Sequence, residues 1–300
     1  MDWNSLIRGF EDYLMLERSL STHSIDAYVR DIKKVQDFVG LKKLELSPIQ
    51  IQYQNLEDFV VYLYELGVQA KSQARIISGV RAFYKFLLIE DLIQHDPSEL
   101  LEGPRLGKYL PDTLSYEEID LIIQSIDHST DHGQRNRAIL ETLYSCGLRV
   151  SELTGLRLSH YFPEEGFVRV IGKNNKERII PIGKSAIKYI SYYLPIRNKV
   201  IPKSGEEDYM FLNRRGSHLS RVMIFNIVKD AVKAAAIDKI VSPHTFRHSF
   251  ASHMVDAGAD LRSVQDMLGH ESITTTEIYT HVNTQYLRDA ILTYHPSNRK

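Results

Sequence analysis

Residues 102–112 read Glu-Gly-Pro-Arg-Leu-Gly-Lys-Tyr-Leu-Pro-Asp, and four of these eleven are Gly or Pro, against 26 in the 300-residue chain. Regular structure does not carry that density. Proline lacks a backbone donor, and glycine loses the most conformational freedom on ordering. The stretch is predicted to be a linker that divides the chain into an N-terminal domain, 1–105, and a C-terminal domain, 106–300. Two domains also suit the length, at about 100–200 residues each.

The N-terminal part reads as four amphipathic helices, with apolar residues recurring at helical spacing. The first runs over about Trp3 to Arg18 and the second over about Thr22 to Val39. The third starts at Asn55, an N-cap with an acidic third residue, and stops at Gly67. The fourth spans about Ala70 to Ile89 and has two unlike faces. Ile76, Val80, Phe83, Tyr84 and Leu87 share one side, while Lys71, Arg75, Arg81 and Lys85 fall within about 120° on the other. That basic side reads either as an ordinary solvated face or as a face that contacts phosphates.

The C-terminal part mixes helices with a small sheet. A capping box at Ser115–Glu118 opens a helix over about 116–127, and a second helix covers 135–146. Phe167–Ile171 and Arg178–Ile182 read as strands joined by the turn Gly172-Lys173-Asn174-Asn175-Lys176. A short strand is expected near Tyr209–Leu212, and helices from about Leu219 onward. The fold class is thus mainly α: a four-helix domain followed by an α+β domain with a small antiparallel sheet.

Several classes of chain are excluded. The longest apolar run, Phe59–Tyr64, is six residues, whereas a membrane span needs about 18 or more. No secretory signal is visible at the N-terminus, and Cys146 is the only cysteine, so a cytoplasmic location is expected. The net charge is -1, so any affinity for nucleic acid must rest on local charge. Residues 1–105 hold 12 basic and 16 acidic side chains, and 106–300 hold 25 and 22. Positive charge concentrates in 169–188, with six basic residues and one acid, and in 213–233, with five and one.

The most informative stretch is Ser242-Pro243-His244-Thr245-Phe246-Arg247-His248. Ser242 suits an N-cap and Pro243 the first helical position. His244 and Arg247 then share a face at a helix N-terminus, an arrangement able to bind a phosphate. A metal site on His244 and His248 is disfavoured. The zinc-protease helix needs Glu directly after its first His, and Thr245 stands there. Leu268-Gly269-His270 follows. Thr274 and Glu277 then form a capping box that places Tyr279 early in a helix. Taken singly, His244 reads as structural, Tyr279 as a packing residue, Arg149 with Glu152 as an ion pair, and Lys173 as an exposed turn lysine.

Together these pieces resemble the tyrosine site-specific recombinases, and among them the Xer type. The resemblance runs from Leu20-Ser21-Thr22 to Tyr294-His295-Pro296. It is carried by Gly147-Leu148-Arg149-Val150-Ser151-Glu152-Leu153, Val170-Ile171-Gly172-Lys173, Ser242-Pro243-His244 with Arg247-His248, and Leu268-Gly269-His270 with Ile278-Tyr279-Thr280-His281. Asn174 stands where many relatives have Gly.

The resemblance implies a SAM-like, DNA-binding N-terminal domain and a catalytic domain that attacks a DNA phosphodiester. Arg149, Arg247 and His270 would stabilise charge on the phosphoryl oxygens, and Tyr279 would be the nucleophile. His244 would accept its proton, Lys173 would protonate the leaving 5′ oxygen, and Glu152 would orient these groups. Lys71, Arg75, Arg81, Lys85, Lys176 and Arg178 are candidate DNA contacts. The linker, at most about 36–40 Å when extended, is long enough to pass alongside a duplex. The sequence has no Gly-x-x-x-x-Gly-Lys-Ser/Thr loop and no acidic metal cluster, and the implied chemistry uses neither metal nor cofactor. The implied partners are double-stranded DNA with a recombination site, a related XerC-like recombinase in a heterotetramer, and a septal FtsK-like translocase as activator. The apolar face of Tyr286, Leu287, Ala290, Ile291 and Leu292 suits docking on a neighbouring protomer or packing at home. A mobile-element integrase, a type IB topoisomerase and a non-catalytic DNA-binding accessory protein are the alternatives.

Overall fold

A computed structural model describes residues 2–104, 113–172, 176–269 and 281–298, with the backbone alone for 281–286 and 298. The chain divides into two compact units, Met1–Tyr109 and Leu110–Lys300. Most of the predicted linker lies outside the described residues.

The first unit is built from α1 (Trp3–Leu16), α2 (Thr22–Leu41), α3 (Tyr53–Glu65) and α4 (Ala70–Ile89). Asp2 caps α1, its Oδ1 accepting from Ser5 N–H at 2.8 Å. The apolar stripe of α4 is buried as its spacing requires: Ile76, Val80, Phe83, Tyr84 and Leu87 all lie in the core. Phe10 meets Phe83 edge-on at 5.3 Å. Each such side chain contributes about 1.5–3 kcal/mol by burial. Helix α3 begins two residues before the predicted start. Asn55 is not its N-cap. It stands one turn in and reaches back, its Oδ1 accepting from Gln52 N–H at 3.0 Å.

The second unit comprises α5 (Tyr116–Gln124), α6 (Asp131–Cys146), α7 (Val150–Thr154), β1 (Tyr161–Phe162), β2 (Phe167–Ile171), β3 (Glu177–Pro181), α8 (Lys184–Arg197), α9 (Arg221–Ala234), α10 (Pro243–Asp256), α11 (Leu261–Leu268) and α12 (His281–Tyr294). The strands form an antiparallel sheet in the order β1-β2-β3. Val168 pairs Ile180 and Val170 pairs Arg178, so these four side chains share one face. That face is buried, Arg178 included. The Ser115 capping box forms as predicted, with Glu118 N–H donating to Ser115 Oγ and Ser115 N–H to Glu118 Oε2.

Several expectations need correction. Helix α6 starts at Asp131, four residues early, because Thr130 Oγ1 caps it by accepting from Gly133 N–H at 3.0 Å. Near 209–212 the described backbone makes only isolated bridges, Arg157 to Tyr209 and Leu212 to His218. Helix α8 was not anticipated. Leu287, Ala290 and Ile291 on α12 are buried in the core of their own unit, so that part of the apolar face packs at home, while Leu292 is exposed. Among the described residues, no helix is long and apolar enough to cross a membrane.

Candidate active site

The site starts where α6 ends. Gly147 stops the helix in the left-handed region, at φ +56°. A Cβ there would lie 2.4 Å from the Phe250 ring, so the position requires glycine twice over. The tight turn delivers Arg149 to the N-terminus of α7. Glu152, in the first turn of α7, accepts from Arg149 N–H at 2.8 Å and from Arg149 Nη1 at 2.9 Å. A local capping arrangement thus aims the guanidinium as well as starting the helix.

Three arginines then converge on two acceptor groups. One is the Glu152 carboxylate, which is 3% exposed. The other is the C-terminus of α11, where three consecutive carbonyls lack helical partners. Arg178 Nε donates to Met267 O at 2.9 Å, Arg247 Nη2 to Leu268 O at 2.6 Å, and Arg149 Nη2 to Gly269 O at 2.9 Å. Positive charge at a helix C-terminus is also favoured by the helix dipole. Arg178 completes a fork on Glu152, from Nη1 to Oε1 at 2.7 Å and from Nη2 to Oε2 at 2.9 Å. Arg247 comes to 4.0 Å of the same carboxylate and donates Nη1 to Gly147 O at 2.7 Å.

This geometry corrects the reading of Arg178 as a DNA contact. Its side chain is 7% exposed and committed to Glu152 and Met267. It positions the cluster from beneath. Arg149, by contrast, keeps 38% of its side chain exposed. Arg247 is more buried, and among the described residues two of its five N–H donors are bonded.

The electrostatics follow from the packing. Burial alone would raise the pKa of Glu152, but the hydrogen bonds and charge of Arg178, then those of Arg149, hold it below the usual carboxylate range. Burial pushes Arg247 down to about 10, and the adjacent Arg149 charge adds to the effect. One carboxylate against three guanidiniums leaves net positive charge facing outward. A bound anion would relieve it.

That charge opens into a cleft of about 590 Å³ lined by Arg149, Arg247, His244, Arg221, Val150 and Phe225. His244 is exposed in the first turn of α10, where Pro243 takes the first helical position and Ser242 Oγ accepts from Thr245 N–H at 3.3 Å. The structure therefore brings Arg149, Glu152, His244 and Arg247 together. Lys173, His270 and Tyr279 lie outside the described residues, as do Thr274 and Glu277. Lys176 is exposed at the edge of the described turn, its carbonyl accepting from Gly172 N–H at 2.7 Å. In the first unit, Lys71, Arg75, Arg81 and Lys85 are all exposed on α4. Arg75 is tethered to the buried Asp31 on α2, and Arg81 to Leu101 O. Sequence reasoning missed Arg221 as a cleft residue. Its signal was present, since it follows the N-cap Ser220 inside the basic window 213–233.

Comparison with known proteins places these features in context. Residues 7–91 match the N-terminal SAM-like domain of phage integrases, and residues 112–286 match the phage integrase family. A tyrosine recombinase XerD from Chlorobaculum tepidum is 41% identical over 300 residues, covering 98% of this chain and 97% of that protein. A tyrosine recombinase XerD from Listeria monocytogenes is 38% identical over 294 residues, covering 98% and 99%. The crystal structure of XerA recombinase superposes with a TM-score of 0.51 at 29% identity, covering 98% of this chain and 99% of that one. XerH bound to palindromic difH in a post-cleavage complex gives a TM-score of 0.70 at 22% identity, covering 95% and 84%, a likeness of fold.

Proposed function

This chain belongs to the phage integrase family, the tyrosine recombinases, and from that premise we propose that it cuts and rejoins DNA at a specific site through a 3′-phosphotyrosine intermediate and a Holliday junction. The observation that carries the reading is the pair of guanidiniums, Arg149 and Arg247, braced on one buried carboxylate at the edge of a cleft that His244 also lines. Planar, permanently charged donors suit the nonbridging oxygens of a phosphodiester under attack. Removing one such donor typically costs about 2.7–4 kcal/mol of transition-state stabilisation.

In the proposed reaction Tyr279 attacks phosphorus and His244 accepts its proton. With an ordinary pKa of about 10, the phenol needs both that base and the nearby positive charge. Arg149, Arg247 and His270 stabilise the oxyanions, and Lys173 protonates the departing 5′ oxygen. The free 5′ hydroxyl of a second strand then attacks the tyrosyl ester, so one phosphodiester replaces another and no external energy source is consumed. The N-terminal unit grips the duplex through the α4 face, and the C-terminal unit performs the chemistry. The XerD names of the relatives favour chromosome-dimer resolution in the cytoplasm over the mobile-element and accessory readings. A related recombinase in a heterotetramer and a septal translocase are the proposed partners.

The test is a nicked duplex carrying the host's candidate recombination site, incubated in EDTA without ATP. The nick lets a short 5′ fragment leave and traps the covalent product. Wild type is expected to give a shifted band on a denaturing gel that Tyr279→Phe lacks. DNA binding by wild type with the same adduct in both proteins, or with no adduct even beside a partner recombinase, would overturn the mechanism.

A further inference from the structure

The C-terminal unit carries a second cavity, of about 560 Å³, that the reaction above does not use. It lies where the start of α6, the end of α8 and the loop after Leu212 meet. Arg135, Lys199, Arg214 and Arg215 line it, and Asp131 is the one acid among its lining residues. None of those four cations has an ion-pair partner among the described residues.

Arg135 is the telling member. It is only 8% exposed, yet its guanidinium bonds solely to neutral acceptors: Leu212 O at 3.2 Å and Asn136 Oδ1 at 2.9 and 3.2 Å. Buried charges are ordinarily paired. Burial depresses its pKa, and the neighbouring Arg214 charge depresses it further. Burial lowers that of His132 as well, with Arg135 and Arg214 adding to it. Like charges crowd together here, and Asp131 is the one opposing charge among the described lining residues.

The loop that presents Arg214 and Arg215 is built before any ligand arrives. Leu212 bridges His218, and Asn213 N–H donates to Ser217 O at 2.8 Å. Asn213 Oδ1 accepts from Arg215 N–H at 2.8 Å and Ser217 N–H at 3.2 Å. Gly216, at φ +75°, turns the chain where a Cβ would lie 2.1 Å from Ile201 O. The turn directs two exposed arginines outward from a fixed backbone.

We propose that this cavity is a second phosphate-binding site for the DNA duplex, in which Arg214, Arg215 and Lys199 take backbone phosphates and Arg135 supplies a fixed charge. The inference rests on the DNA-recombining reading. DNA is favoured over an acidic protein segment by continuity with the cleft. Arg221, which lines that cleft, lies six positions after Arg215. Extended, that stretch spans at most about 20–22 Å. Phosphates on one strand advance about 3.4 Å per base pair. The cavity wall at Arg215 therefore lies within about 22 Å of Arg221 on the cleft wall, a reach of about six base pairs along one duplex.

The test titrates the full-length protein onto a duplex carrying the host's candidate site, at a series of salt concentrations. Wild type is compared with the double variant Arg214→Ala/Arg215→Ala, whose thermal midpoint serves as a check on folding. Each lost phosphate contact removes about 0.9 from the slope of log affinity against log salt, so a decrease of about 1.8 is expected. Shortening the duplex by six base pairs on the outer side should flatten the wild-type slope similarly and leave the variant's unchanged. An unchanged slope in a folded variant overturns this site while leaving the recombinase reading intact. Absence of wild-type binding overturns both. Capture of polyglutamate by wild type but not by the variant, with an unchanged slope, would reassign the cavity to an acidic protein and so overturn the proposal.

Discussion

Replacing Arg178 by Met separates two physical roles that the basic window 169–188 leaves merged. Arg178 makes three hydrogen bonds, two to the Glu152 carboxylate and one to Met267 O. Residue exposures are 6% for Arg178 and 3% for Glu152. Methionine fills much of the volume but leaves Glu152, among the described residues, held directly by Arg149, with Arg247 at 4.0 Å. Breaking one side of a buried pair costs about 3–5 kcal/mol, because the remaining charge stays desolvated. Against a typical total of about 5–15 kcal/mol, that is a large fraction of the stability. Urea unfolding should show the midpoint lowered by that energy divided by the slope m, with m itself unchanged. Arg178→Lys keeps the charge but not the planar fork, and should fall between the two. The salt slope of DNA binding should be that of wild type for both variants. A DNA-gripping Arg178 makes the opposite demand: stability within about 0.5 kcal/mol of wild type and a salt slope flatter by about 0.9. That pair of results would refute the positioning role.

Two further perturbations probe the surroundings. Gly147→Ala should destabilise the C-terminal unit by more than about 2 kcal/mol, since the left-handed backbone alone costs an L-residue about 1–2 kcal/mol and the new Cβ meets the buried Phe250 ring at 2.4 Å; a thermal midpoint within a degree of wild type would contradict it. His295 is fully buried beside Tyr144, and burial pushes its pKa from 6.5 down to about 4. Between those two pH values the unfolded chain takes up a proton there and the folded chain does not, so stability falls with pH across that window, by about 3 kcal/mol in all, and is unaffected above it. Urea midpoints from pH 7.5 to 4 should fall less steeply for His295→Phe than for wild type, and parallel curves would contradict the assignment.

Much of the scaffold was readable because its signals are local. The two faces of α4, the Ser115 capping box and the Ser242-Pro243 start of α10 each depend on residues within a turn or two. The strands flanking Lys173 were readable for the same reason. Features that depend on partners distant in sequence were not. Asn55 is a local exception: its side chain does bond a backbone N–H, but that of Gln52 behind it, so it closes the capping box rather than opening the helix. Helix α8 contains Pro195, whose presence argues against a helix interior, and its burial on α6 overrides that local preference. Arg178 was the most instructive miss. In a strand its parity with Ile180 already places it on the inward face, where a charged side chain is the exception. No sequence pattern announces that the α11 carbonyls receive three arginines, because those acceptors belong to every residue type equally.

That last property makes the guanidinium clamp unequal in its exposure to inherited change. Four of its six acceptor atoms are main-chain oxygens, at Gly147, Met267, Leu268 and Gly269, and no coding change at Met267 or Leu268 can delete a carbonyl. Drift there alters only packing, for which Leu and Met are near-equivalents. Gly269 differs, because it sits at φ +65° and a Cβ would press on Arg178 at 3.2 Å. The donors have no such protection: a single codon change at Arg149, Arg178 or Arg247 removes a whole limb, and one at Glu152 strands three cations at once. A lineage of such proteins can therefore exchange side chains of similar size on the buried face of α11 while positions 147, 149, 152, 178, 247 and 269 stay locked to one another.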